Sequence, residues 1–310
     1  MFYYSLVIDA RPDYLPAMNQ KQYFHCYTKG LESELLFEDA KEYIAGMNRI
    51  AVCWQACDLS GHGVSIFAFC LMSNHVHFVL LGSEEDCMMF MNKYKHHCCT
   101  WIRKHRGERL HEKIQIGHSP IRDRDVLQKK IIYNLRQALE AGINVSPLGY
   151  PWGSGILMFN ENTRLLAQAK TVSQMSKSKM DRLSCSRLQF PGDWLVLPDG
   201  LIWPGNYTRY RDAETRFASV GKFLFMLNNG NIDAEVNAEI LDNLPSIPDA
   251  EVRDLAKELA MDMFGKPFIS RCSQDQRLGV ARRLRRELHC GDKQLARIVR
   301  LSPEAVNALI

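Results

Sequence analysis

The side chains best suited to chemistry in this sequence fall into two pairs. His75 and His77 stand two residues apart in an apolar stretch, 75–81, that reads as a strand, so both imidazoles project from one face while Val76 and Phe78 take the other. Two imidazoles on one strand face can chelate a divalent ion, and hydrogen-bonded structural histidines satisfy the same pattern. Tyr133 and Gln137 are four apart in a stretch of helical apolar spacing and so share a helix face. On that face the phenol can act as a nucleophile with the amide oxygen as a third metal ligand, or a half-buried tyrosine can simply lie beside a polar amide. A phenol with an ordinary pKa of about 10 is a poor nucleophile at neutral pH, so the reactive alternative needs a base or a metal-polarised target.

Such residues need elements that bring them together. Residues 24–28, 50–59, 64–71 and 75–81 are apolar enough for strands, the last two joined through Met72-Ser73-Asn74 as an antiparallel hairpin. Residues 38–47 predict a helix. So do 84–105, where Met88, Met91, Tyr94, Cys98 and Trp101 recur at spacings of three and four, and 123–141, stopped by Gly142 in the place of a C-terminal cap. Pro and Gly residues between 147 and 155 close a first unit, 1–155. An accessory mixed or helical region, 156–265, holds a small hairpin around Pro198-Asp199-Gly200 and a helix over 211–227. Its stretch 233–262, with nine acidic and two basic residues, reads as a solvated support. The last region, 266–310, is basic: residues 277–300 carry eight basic side chains against Glu287 and Asp292. Helices over 280–289, 293–299 and 304–309, the last capped by Ser302, make a helix-turn-helix candidate, or a basic hairpin that only packs on the main domain.

Composition narrows the classes. The chain has 310 residues, 46% of them hydrophobic and 24% charged, enough for a real core and against wholesale disorder. A formal net charge of +4 is too small to establish a nucleic-acid partner by itself. The longest strongly apolar run, 64–72, is too short to cross a bilayer, and the N-terminus lacks the pattern of a secretory signal, so a soluble, cytoplasmic protein is expected. The ten cysteines are spaced too irregularly for a disulfide scaffold. Cys53, Cys57, His96, His97, Cys98 and Cys99 could gather a zinc ion, although no Cys-x-x-Cys pair exists. No glycine-rich phosphate loop with its lysine is present, which argues against a nucleotide-driven motor.

The segment Phe69-Cys70-Leu71-Met72-Ser73-Asn74-His75-Val76-His77-Phe78-Val79-Leu80 resembles the signature of the single-tyrosine HUH transposases, in particular the REP-associated tyrosine transposase branch. The family usually has Pro where this chain has Ser73. Tyr133 through Gly142, followed by Tyr150-Pro151-Trp152-Gly153-Ser154, is similar to the family's tyrosine helix and the segment after it, and residues 24–30 look like its first strand. The usual Asn-Pro is replaced by Gln137-Ala138. The resemblance spans about residues 20 to 155.

That resemblance implies an α+β fold: a ferredoxin-like antiparallel sheet with helices packed on one face, followed by a mostly helical C-terminal extension. It implies an enzyme that cleaves and rejoins single-stranded or hairpin DNA, with Tyr133 as nucleophile forming a 5′-phosphotyrosine and His75, His77 and Gln137 holding Mg²⁺ or Mn²⁺. Lys93, Lys95, Arg103, Arg106 and Arg109, and in the tail Arg282, Arg283, Arg286 and Arg297, would meet phosphates, or else form solvated helix ends. The alternatives are a DNA-binding regulator without turnover and a metal-dependent hydrolase in which Tyr133 is structural. Monomer and homodimer are equally compatible with the sequence.

Overall fold

The computed structural model describes residues 21–31, 34–143, 145–229, 247, 249–288, 290 and 292–307. Its centre is a four-stranded antiparallel sheet of β1 (Gln22–Lys29), β2 (Ser65–Leu71), β3 (Val76–Gly82) and β4 (Gln115–Ile121), in the order β2-β3-β1-β4. α1 (Ala40–Leu59) joins β1 to β2, α2 (Glu84–Arg106) joins β3 to β4, and α3 (Arg124–Glu140) follows β4. A short polar residue opens each helix: Asp39 accepts from the Glu42 N–H at 2.9 Å, Ser83 from Asp86 at 3.1 Å and Asp123 from Val126 at 2.8 Å.

β2 and β3 are buried along nearly their whole length, so both faces of the sheet need cover. Phe24, Cys26, Phe69, Leu71, Val76 and Phe78 pack with α1 and α2 on one side. Phe67, Val79 and Ile121 pack with Leu127, Ile131 and Leu135 of α3 in a second cluster. Helices therefore lie on both faces, not on one as expected.

Two further expectations change. Residues 50–59 are the second half of α1: nothing before the Ser60-Gly61 turn breaks the helix, and Ile50, Cys53 and Cys57 form its buried stripe. A short apolar run suits a strand and a buried helix alike. β4 was not expected, because Gly117, Pro120 and its mostly part-exposed side chains hide the pattern of an edge strand.

The other edge, β2, is covered by residues 150–154 and 209. The Leu71 N–H donates to the Trp152 carbonyl at 2.8 Å, the Tyr150 hydroxyl to the Leu71 carbonyl at 2.8 Å, and the Arg209 N–H to the Ile66 carbonyl at 2.7 Å. Leu157, Met180, Trp194, Ile202, Trp203 and Tyr207 join the core under α1 and α2, so much of the region expected to be accessory completes the same core. β5 (Lys170–Thr171), α4 (Lys177–Ser184) and β6 (Leu195–Val196) belong to it, and Leu197 pairs with Leu201 in the hairpin around Gly200. The helix expected over 211–227 is divided into α5 (Tyr210–Glu214) and α6 (Val220–Asn228), the second capped by Ser219.

The C-terminal helices α7 (Asp249–Phe264), α8 (Gln274–Leu288), α9 (Asp292–Val299) and α10 (Pro303–Asn307) share a separate core that includes Val252, Ala256, Val280, Leu284, Leu295 and Val299. Ser302 caps α10 through the Ala305 N–H at 3.2 Å. Of the acidic stretch, 233–246 lies outside the described residues, and in α7 Val252, Ala256 and Ala260 are buried. Among the described residues no helix is long and apolar enough to cross a membrane.

Buried Asn48 ties the later segment to α1: its amide donates to the carbonyls of Leu183 (3.2 Å) and Gly200 (3.0 Å) and accepts from the Ile202 N–H (2.8 Å). Asn48→Ala leaves these backbone groups without partners and is expected to cost roughly 3 kcal/mol in denaturant unfolding. A loss well under 1 kcal/mol would mean that 183–202 is not integral to the core.

Candidate functional site

The register of β1 against β3 sets Tyr27 opposite His77, and alternation along both strands turns His25, Tyr27 and His77 toward α3. His25 Nε2 lies 3.1 Å from His77 Nδ1, with the two rings nearly parallel. Tyr27 stacks on both, at centroid distances of 5.3 Å and 5.8 Å. Opposite Tyr27 on β4 is Gly117, where a Cβ would come within 2.5 Å of the tyrosine ring, so the absence of a side chain there makes room for this stack.

α3 completes the arrangement. Leu127, Ile131 and Leu135 seat it on the sheet, which brings Tyr133 edge-on to His25 and His77, 5.5 Å from each. One turn later the Gln137 amide donates to the Tyr133 carbonyl at 3.1 Å and to Glu140 Oε2 at 3.4 Å. His75 Nδ1 is 2.8 Å from Asn74 Oδ1, while the Asn74 amide nitrogen donates to the Leu31 carbonyl at 2.9 Å. The amide oxygen is thus turned to His75, whose Nδ1 must carry the proton and whose Nε2 keeps its lone pair. All four side chains singled out in the sequence, His75, His77, Tyr133 and Gln137, stand together.

Burial sets the charge states. It lowers His25 to about 4, helped by Lys130, and lowers His77 to about 2, helped by His75, His25 and Lys130. His75 is lowered by burial, against a raising hydrogen bond from Gln137. The rings are neutral at physiological pH. Burial raises the Tyr133 phenol, with Gln137 opposing. The Lys130 ammonium sits 5.1 Å from the centre of the Tyr133 ring. A groove of about 260 Å³ opens beside Tyr133, lined among others by Lys129, Ile132, Phe225 and Met226.

Two neutral imidazoles and a carboxamide suit a divalent ion of borderline softness. Among the described residues no group of three or more His, Cys, Asp or Glu side chains could hold a metal, which includes the Cys53, Cys57, Cys98 and Cys99 region, where all four thiols are buried. The candidate set here reaches three donors only through Gln137.

The basic residues are more scattered. Lys93, Lys95, Arg103 and Arg106 lie on α2, which packs on the face of the sheet opposite α3. Arg103 and Arg109 are exposed, but Arg106 is ion-paired with Glu38 (2.8 Å), Glu42 (3.1 Å) and Glu108 (3.4 Å). On α8, Arg282 and Arg286 are exposed and Arg283 pairs with Glu287. Arg297 is paired with buried Asp249 at 3.3 Å. His25, Tyr27 and Lys130 were not among the residues expected at the site, and Asn74 was expected only within the Met72-Ser73-Asn74 connection of the hairpin. The one usable signal was the spacing of Lys130, a helical turn before Tyr133.

His25 has a pH signature. Between pH 6.5 and about 4 the unfolded chain binds a proton at His25 that the folded chain does not, so stability falls as pH falls through that window. From pH 7 to about pH 5 this one ring should remove about 2 kcal/mol. His25→Gln is expected to lose correspondingly less in paired urea titrations; an identical pH dependence would mean that His25 titrates normally.

No protein-family model, no curated protein and no solved structure matches this chain.

Proposed function

We propose that this protein cleaves and rejoins single-stranded DNA through a 5′-phosphotyrosine on Tyr133, in the manner of the single-tyrosine HUH transposases that residues 69–80 resemble. The observation that carries the reading is the convergence of Tyr133 and Gln137 of α3 with His77 of β3 and His75 just before it. The element order β1-α1-β2-β3-α2-β4 with strand order β2-β3-β1-β4 is that of a ferredoxin-like sheet, and α8 to α10 suit a helix-turn-helix.

In this reading the Tyr133 oxygen attacks the scissile phosphorus as its phenolic proton passes to water, the bond from phosphorus to the 3′-oxygen breaks, and that oxygen takes a proton from water and leaves as a hydroxyl. The new tyrosyl phosphodiester keeps the energy of the old bond, so a DNA 3′-hydroxyl can reverse the step. His75, His77 and Gln137 would hold Mg²⁺ or Mn²⁺, which supplies positive charge to the phosphate oxygens when bound. With His77 Nδ1 as the donor to His25 Nε2, and His75 Nδ1 donating to Asn74, both Nε2 lone pairs would be left for the metal. Burial raises the Tyr133 phenol with Gln137 opposing, and the Lys130 ammonium 5.1 Å from the ring centre adds a positive charge beside it. Lys129 and Lys130 are the cations on α3 for the phosphates near Tyr133, while exposed Arg282, Arg283 and Arg286 suit binding further along the strand.

Incubating the full chain with a single-stranded hairpin substrate and Mn²⁺ should give a denaturation-resistant adduct that maps to Tyr133. Tyr133→Phe should bind the same DNA and give none. An adduct on Tyr94, Tyr150 or Tyr207 would refute the assignment, and DNA binding without any adduct would favour a regulator that does not turn over.

Replacing Arg282, Arg283 and Arg286 together by Gln should lower the slope of log K against log salt by about 2 for single strands. Superimposable slopes for the variant and the parent would remove α8 from the DNA-binding surface.

A further inference from the structure

The turn that carries His75 is tied to the far end of the chain. The Ser73 hydroxyl donates to Asp249 Oδ2 at 2.8 Å, across 176 residues. Asp249 opens α7 and is buried, and it also accepts from Gln294 Nε2 at 3.0 Å and from Arg297 Nε and Nη2 at 3.3 Å each, both on α9. Arg253, buried on α7 with no hydrogen-bond partner for its guanidinium among the described residues, adds a second positive charge near that carboxylate.

On its other side the turn is anchored by the core. The Ser73 carbonyl accepts from the Leu36 and Phe37 N–H groups at 2.6 Å and 3.0 Å, and the Met72 N–H donates to the His75 carbonyl at 2.8 Å. Asn74 bridges the Leu31 carbonyl and His75 Nδ1. Residues 72–75 thus hang between Leu31, Leu36 and Phe37 on one side and the C-terminal helices on the other, with Asp249 as the anchor on the tail side.

We propose that Asp249 is a positioning residue for His75: with Arg297 as its counter-charge it holds Ser73, and through the turn it fixes the His75 ring. The C-terminal helices are then part of the support of the site, and what disturbs them around Asp249 disturbs His75. The consequence for metal binding rests on the function proposed above; the positioning of the ring does not. A separate tie supplies the control. Arg300 pairs with Glu38 and Glu108 beside Arg106, and this joins the tail to the chain before α1 and after α2 without touching Asp249.

The test compares Ser73→Ala, Asp249→Ala, Asp249→Asn and Arg300→Gln in the full chain. Two quantities are read: the imidazole ¹⁵N signals without metal, and Mn²⁺ affinity by calorimetry. The parent should show His75 in the single Nδ1–H tautomer, and Ser73→Ala and Asp249→Ala a mixture, with Mn²⁺ bound about tenfold more weakly. Asp249→Asn, which keeps an acceptor for Ser73, should recover most of both, and Arg300→Gln should leave both unchanged while it loosens the tail. If Asp249→Ala does not fold, Ser73→Ala decides. Unchanged His75 signals in folded Ser73→Ala would overturn the proposal, as would an equal effect in Arg300→Gln. If the parent binds no Mn²⁺, the metal reading fails, and the tautomer signals alone still decide the positioning role.

Discussion

The sharing of protons among His25, His75, His77 and their neighbours is the constraint on which this architecture turns. Three imidazoles and a phenol occupy a sheet face whose remaining residues are largely apolar, and a ring nitrogen buried there without a partner would cost on the order of 1–3 kcal/mol. The pairing of β1 with β3 gives His77 its partner in His25, the turn before β3 gives His75 its partner in Asn74, and α3 sets Tyr133 edge-on to His25 and His77. A one-residue slip of β1 against β3 would send His25 and Tyr27 into the α1 and α2 core and separate them from His77.

The surrounding structure serves that face by immobilising its supports. Apolar contacts of Leu127, Ile131 and Leu135 fix the height of α3 over the strands, and the 150–154 segment closes the β2 edge beside the turn. Charge does the corresponding work on the other side of the sheet. Glu38, Glu42 and Glu108 gather Arg106 and Arg300, so part of what reads as a basic DNA surface in the sequence is internal wiring between the tail and the core. Burial raises Glu42 to about 7 and, in the same direction, Glu108, against the attraction of Arg106; this marks how dry the junction is.

Periodicity made the core of the site legible. A spacing of two on a strand and of four on a helix put His75 with His77 and Tyr133 with Gln137 before any contact was known. His25 escaped because it is a lone histidine on its strand, and the partner that gives it meaning is 52 residues away. β4 escaped because an edge strand need not alternate, and residues 50–59 misled because a short apolar run is ambiguous between strand and buried helix. Arg106 and Arg297 were counted as surface cations since local charge totals are blind to Glu38, Glu42 and Asp249, which are distant in sequence.

The central proposal is that His75 in the turn before β3, His77 on β3 and α3 form one site able to hold a divalent ion next to Tyr133. Pulsed electron paramagnetic resonance of Mn²⁺ bound to ¹⁵N-histidine-labelled protein tests it most directly. The account predicts coupling to two imidazole nitrogens, one lost in His75→Ala and the other in His77→Ala. Bound Mn²⁺ with no nitrogen coupling, or with coupling that survives both substitutions, would contradict it.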